Sequence, residues 1–262
     1  MTLFGRNQGD TGAMPLSERL YRRFFLEYHG RYLITELQLR ARQQSVDYIQ
    51  AEMEDAAIFA DRWALLRYSA GQAPPEGMMI ECGVADGGSL RHLATDSVRR
   101  FHGFDSFEAR PESWAGIFGQ RSKFNSGGSL PDVPGNVVLH KGAYEQTLPP
   151  FLAAHADESV AFLHIDCGIY SASVLVLRTL APRLKPGAVL VFEEYFNHPN
   201  WQRHEWRAFQ EFIRDTGLSY RYLGFAQKNG HVALRLGEES DAGAREAERR
   251  LEEWGLPEMG AR

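Results

Sequence analysis

The sequence predicts an α/β; doubly wound fold: a mostly parallel sheet with a C-terminal antiparallel hairpin, preceded by an N-terminal helical region. Three observations predict it. Between residues 78 and 192, short apolar runs alternate with helical patterns, which implies parallel strands joined by crossover helices on both faces of a sheet. Inside that stretch, Ile80-Glu81-Cys82-Gly83-Val84-Ala85-Asp86-Gly87-Gly88-Ser89-Leu90 runs from a strand through a glycine-rich turn straight into a helix. Near the C-terminus, residues 219–225 and 231–236 read as two strands joined across the turn signal Lys228-Asn229-Gly230.

Taken in order, residues 1–14 are rich in glycine and polar side chains and read as a loose lead-in. Residues 15–77 read as a helical cap of two or three helices. Ile34, Leu37 and Leu39 with Tyr48 and Ile49 supply part of an apolar face, and Ala56, Phe59, Trp63 and Leu66 continue it at steps of three and four. Such a cap either only packs on the main domain or also covers an active site or forms a dimer interface. The breaker cluster at 71–77, with Pro74 and Pro75, marks the boundary. In the main domain, 78–236, strands are expected at 78–81, 101–104, 137–140, 160–165 and 188–192, with helices over 90–98 and 171–184. A helix over 201–216 carries Trp206, Phe209, Phe212 and Ile213 on one side and leads into the hairpin. Residues 237–262 are charged and read as a solvated tail or helix. The connection 108–128 is too long for an ordinary link and reads as a substrate lid or an irregular surface insertion.

Composition narrows the partners. Across 262 residues the hydrophobic share is 44% and the charged share 24%, as in folded globular chains. A formal charge of -5 provides no basic field to hold a phosphate backbone, which disfavours nucleic acid. The 2 cysteines, Cys82 and Cys167, are too few for a disulfide framework, lack zinc-ligand spacing, and read as buried thiols in a reducing cytoplasm. Neither an apolar signal segment nor a run near the ~20 residues of a membrane span is expected.

In an open parallel sheet, ligands bind beyond the carboxyl ends of the strands, so the residues that end each strand carry the argument. Gly83, Gly87 and Gly88 let the backbone approach a ligand, and Ser89 can act as an acceptor near the helix start. The spacing is neither G-x-G-x-x-G nor a P-loop, so a pyrophosphate is disfavoured, while a purely structural turn stays open. Asp105 ends the next strand about 20 residues on, where an acid can bond ribose hydroxyls or merely cap a helix. Asp166, Glu193 and Glu194 end two further strands. Acids sharing a crevice repel unless a cation compensates, and Mg²⁺ suits hard oxygen ligands; solvated acids at strand ends are the alternative.

These residues resemble a known family. Residues 81–90, Gly103-Phe104-Asp105-Ser106-Phe107-Glu108 and residues 130–142 resemble class I S-adenosylmethionine-dependent methyltransferases. With Thr147-Leu148-Pro149, residues 163–170 and residues 191–201, the set resembles the macrocin O-methyltransferase-like family, which includes Mg²⁺-dependent enzymes that methylate sugar hydroxyls in antibiotic biosynthesis. The resemblance implies S-adenosylmethionine as cofactor. It implies that Glu81, Gly83 and Gly87 line the methionine end, with Val84 and Ser89 beside them, and that Asp105 holds the ribose. Ser106 is implied beside the adenosine, Gly142 and Ala143 at the adenine, and Asp166 at both cofactor and metal.

The chain departs from the family where chemistry is expected. Asp166-Cys167-Gly168-Ile169-Tyr170 stands where members commonly read Asp-Cys-Asp-Leu-Tyr, and Gly168 cannot serve as base or metal neighbour. Glu193-Glu194 stands where they carry Asp-Asp or Asp-Glu, and a carboxylate reaching about 1 Å further fits an octahedral site less well. The expected Mg²⁺ ligands are Asp166, Glu193 and Glu194. The base falls to Asp166, His198 or His204, the histidines having an ordinary pKa near ~6.5; either histidine could instead be a surface or substrate-orienting residue. The leading expectation is a cytoplasmic, dimeric O-methyltransferase acting on a hydroxyl of a small secondary metabolite, glycosylated ones included. The alternative is an S-adenosylmethionine-binding protein of the same fold that has lost methyl transfer. A nicotinamide oxidoreductase is disfavoured by the loop spacing and the hairpin.

Overall fold

A computed structural model describes residues 16–21, 33–108 and 127–256; the lead-in at 1–14 and most of the connection at 108–128 lie outside the described residues. Short helix α1 (Leu16–Tyr21) and long helix α2 (Leu33–Glu52) come first, then strand β1 (Ala57–Phe59) and helix α3 (Arg62–Gln72). The alternating part follows as β2 (Met78–Cys82), α4 (Gly88–Ala94), β3 (Phe101–Asp105), β4 (Val137–Lys141), α5 (Tyr144–Ala154), β5 (Val160–Ile165), α6 (Tyr170–Leu180) and β6 (Leu184–Phe192). The chain ends in α7 (Glu205–Thr216), β7 (Leu218–Ala226), β8 (Val232–Glu239) and α8 (Asp241–Glu253). The strands form one 8-stranded sheet in the order β1-β7-β8-β6-β5-β2-β3-β4. Only β8 runs against its neighbours, β6 and β7.

The central strands β2, β5 and the second half of β6 read as apolar runs because both faces of the sheet are buried there. Alternate residues serve opposite layers. Ile80, Phe104, Leu163, Leu190, Phe192 and Leu234 pack with Val176 and Leu177 of α6 and Phe209 of α7. Met79, Phe101, Phe162, Val189, Val191 and Ala233 pack with Leu65 and Leu66 of α3 and Leu90 and Leu93 of α4.

Three expectations change. The helical reading through Ala56 and Phe59 gives way to strand β1, which lies parallel to β7 at Gly224–Ala226. Asp61 then starts α3 afresh, its carboxylate accepting from the Ala64 amide at 3.0 Å. Gly224 admits the new edge strand, since a Cβ there would come within 2.6 Å of the Ala57 carbonyl oxygen and the Phe59 ring. The predicted hairpin forms, but β8 inserts between β6 and β7 rather than closing an edge. On α2, Tyr48 is buried with Ala41 and Ser45, whereas Ile34, Leu37 and Leu39 are exposed.

The charged C-terminal segment forms a helix that is docked rather than solvated. Ala247 and Leu251 of α8 are buried, and Arg250 ion-pairs with Glu52 of α2 and donates to the Tyr220 hydroxyl at 2.6 Å. Among the described residues no helix is long and apolar enough to cross a membrane.

Candidate functional site

From β2 the chain crosses to β3 and β4 on one side, and after β4 it returns to β5 on the other, so the topological switch lies between β2 and β5. That is where an open α/β sheet leaves a crevice beyond its carboxyl ends. The crevice floor is bare backbone. The Asp166 amide donates to the Cys82 carbonyl at 2.8 Å and the Gly83 amide to the Phe104 carbonyl at 2.9 Å, which ties the ends of β2, β3 and β5 together. Gly83 has φ +96°, and a Cβ there would lie 2.1 Å from the Asp166 carbonyl oxygen, so no side chain fits. Gly87, at φ 78°, is the left-handed cap of α4. Ser89 does not accept at the helix start as expected: its hydroxyl donates to Glu81 Oε1 at 2.7 Å, and Asp86 accepts from the Gly88 amide at 3.0 Å instead.

Asp105 clasps the turn. Its Oδ2 accepts from the Val84 and Ala85 amides at 2.8 and 2.9 Å, and its Oδ1 accepts from the Phe107 amide at 2.8 Å. Ala85 and Phe107 are both left-handed, at φ 49° and 56°, so the carboxylate stabilises two non-glycine residues in a sparsely populated conformation. Of the roughly four acceptor sites of a carboxylate, one on Oδ1 meets no donor among the described residues. Ser106 accepts from the Glu108 amide at 3.2 Å. Gly142, at φ 146°, donates to the Asp105 carbonyl at 3.0 Å, and Ala143 caps α5, bringing the end of β4 to the same crevice.

A row of charge runs beneath this crevice on the α3/α4 face. Glu81 Oε2 lies 2.7 Å from His164 Nδ1, and His164 Nε2 lies 3.0 Å from Glu193 Oε1. Glu193 Oε2 lies 2.7 Å from His231 Nδ1 and 3.1 Å from Arg62 Nη1. Burial opposes charge on His164, but the Glu81 carboxylate and the bonds to Glu193 and Glu81 outweigh it and push its pKa up to about 10. Burial likewise works against ionised Glu193, yet contacts from His164 and His231 hold its carboxyl below the usual range.

The remaining expected residues gather around the ends of β5 and β6. Burial, and then the neighbouring Glu193, raises the Asp166 carboxyl well above its ordinary value. His198 Nε2 lies 3.1 Å from the Glu194 carbonyl, and its ring centroid is 5.3 Å from that of His204. Burial, then His198 and Arg203, lowers the His204 pKa to about 4, and its buried Nδ1 has no hydrogen-bond partner among the described residues. Glu205, the first residue of α7, was not expected. Its Oε2 accepts from the Glu194 amide at 2.9 Å while its buried Oε1 has no hydrogen-bond partner among the described residues. Burial and the nearby Glu194 raise its carboxyl well above the ordinary range. An acid in a helix's first turn is so common that its sequence position carried no signal. Cys82 and Cys167 are free and buried, and burial raises both thiols, which leaves them unreactive.

Glu193 does not fit the metal-ligand role expected of it, because both its oxygens are engaged by His164, His231 and Arg62. Among the described residues, no group of three His, Cys, Asp or Glu side chains is arranged to hold a metal ion.

The strand order, the antiparallel β8 and the glycine turn at the switch define the class I methyltransferase fold. Residues 80–195 match the family model of a methyltransferase domain. Among solved structures, CalS11, described as a calicheamicin methyltransferase, is 21% identical with a TM-score of 0.51, the match covering 78% of this chain and 93% of that one. The O-methyltransferase NovP is 18% identical with a TM-score of 0.50, covering 68% of this chain and 80% of its own. No curated protein sequence matches significantly.

Proposed function

We propose that this protein transfers the methyl group of S-adenosylmethionine to a hydroxyl of a small metabolite, glycosylated secondary metabolites included. The observation that carries the reading is the clasp of Asp105 on the amides of Val84, Ala85 and Phe107 at the switch point, which leaves one carboxylate acceptor site open beside a bare glycine turn. The match of residues 80–195 to a methyltransferase domain supports it, as does the likeness to the methyltransferases CalS11 and NovP.

When bound, S-adenosylmethionine supplies an electrophilic methyl on a sulfonium; the acceptor oxygen gains the new bond as the sulfur–methyl bond breaks. Gly83 and Gly87 keep the floor free of side chains, so a nucleoside can lie against backbone. Asp105 Oδ1 accepts a ribose hydroxyl while Oδ2 keeps the turn in shape, with Ser106, Gly142 and Ala143 bordering the base. Glu81 and Ser89 lie under the methionine end. Asp166 takes the proton of the acceptor hydroxyl; burial, and then Glu193, raise its proton affinity well above that of an ordinary carboxylate. His198 and His204 orient the acceptor or relay that proton. No step is routed through a metal.

Calorimetry with S-adenosylhomocysteine tests the cofactor site. Micromolar or tighter binding by the full chain, abolished by Asp105→Ala, is expected, and a folded sample that binds none refutes the reading. A competing reading, cofactor binding without methyl transfer, draws on Gly168, which at φ 64° offers no functional group beside Asp166. Transfer of labelled methyl to any hydroxylated acceptor excludes it.

A further inference from the structure

Acids at neighbouring strand ends need a compensating partner, and this chain brings basic side chains of its own to one of them. Glu193 is only 4% exposed and is approached from three separate segments: His164 on β5, His231 just before β8, and Arg62 at the start of α3. We propose that Arg62, His164 and His231 occupy the place a divalent cation would take at the ends of β5 and β6, so that Glu193 is a strut of the fold and the site takes no divalent cation. The proposal rests on reading this crevice as a methyltransferase site.

Coordination chemistry supports it. Mg²⁺ binds oxygen at about 2.0–2.1 Å in near-octahedral geometry, so a metal on Glu193 must displace at least one of these three partners. His164 has nowhere to go, being wholly buried and bonded to Glu81 on its other nitrogen. Arg62 is 30% exposed, but its guanidinium also lies over the Trp63 ring, 4.2 Å from the centroid, which holds it toward the carboxylate. The row continues through Glu81 to Ser89 on α4, so drawing Glu193 away would leave a buried imidazole facing one carboxylate instead of two.

The test is a Mn²⁺ titration of the EDTA-treated full chain by calorimetry, with thermal unfolding in Mg²⁺ against KCl of equal ionic strength. The expected result is no saturable Mn²⁺ site at the strand ends and the same melting temperature in both salts. A 1:1 Mn²⁺ site lost in Glu193→Gln overturns the proposal, as does one lost in Asp166→Asn if the first variant does not fold. A site unaffected by either substitution lies elsewhere and upholds it. S-adenosylhomocysteine titrated into the same metal-free sample separates the two readings: absent binding there strikes the proposed function, while the Mn²⁺ isotherm still decides the role of Glu193.

Discussion

Gly83→Ala is the substitution whose cost can be built most directly from the geometry. At φ +96° an L-residue pays about 1–2 kcal/mol for a left-handed backbone. The added Cβ would lie 2.1 Å from the Asp166 carbonyl oxygen and 2.6 Å from its carbon, so the ends of β2 and β5 must part by more than an ångström. The bonds that resist are Asp166 amide to Cys82 carbonyl and Gly83 amide to Phe104 carbonyl, at 2.8 and 2.9 Å, each contributing about 1 kcal/mol. Together these give about 3–4 kcal/mol, large against a typical stability of about 5–15 kcal/mol yet compatible with a folded variant. Gly255→Ala isolates the backbone part, because Gly255 is also left-handed, at φ +61°, and a Cβ added there would meet nothing within 4 Å. Equilibrium urea unfolding followed by tryptophan fluorescence compares them. Gly83→Ala should lose at least about 2 kcal/mol more than Gly255→Ala and should abolish S-adenosylhomocysteine binding. Equal losses would mean that the strand ends can separate freely and that the bare floor of the crevice is no requirement of packing.

Two further outcomes follow from the charges. His164 has a folded pKa raised to about 10 against an unfolded value near ~6.5, so its stabilisation is complete below ~6.5 and is lost as pH rises through about 10. The melting-temperature gap between wild type and His164→Gln should therefore shrink from pH 7 toward about 10; a constant gap contradicts the charged row, and imidazole ¹⁵N shifts report the same transition should the variant not fold. Arg250→Ala removes the donor to Tyr220 and the partner of Glu52, and should cost about 2 kcal/mol and expose α8 to limited proteolysis. An unchanged urea midpoint would show that the helix is held by Ala247 and Leu251 alone.

The central parallel strands β2, β5 and β6 were legible because their apolar runs are buried on two faces, and the turn at Lys228-Asn229-Gly230 revealed the antiparallel pairing. That turn could not say which strand lies beside β6. The choice rests on Val189–Phe192 meeting Val232–Arg235, a pairing between distant segments. Strand β1 was illegible for the same reason: three residues carry no period, and their partner Gly224 lies far along the chain. In the site, the glycine turn and Asp105 could be found because spacing along a βαβ unit is fixed by geometry. The amide clasp on Asp105, the donation from Ser89 to Glu81, and the partners of Glu193 could not, since spacing locates an acid without revealing what faces it.

Glu193 misses the metal role expected of it for a reason that parity alone contains. Successive side chains of a strand point to opposite faces of a sheet. Val191 packs on the α3/α4 face and Phe192 on the opposite one, so Glu193, next in line, falls with Val191 and meets His164, which shares the face of Phe162. Glu81, two residues past Met79, lies on that face as well, which is why the imidazole finds a carboxylate on each side. The Glu194 amide is held by Glu205 from the start of α7, a helix of the opposite layer. Here the alternation persists through residue 193 and delivers the Glu193 carboxylate to basic side chains of the chain itself.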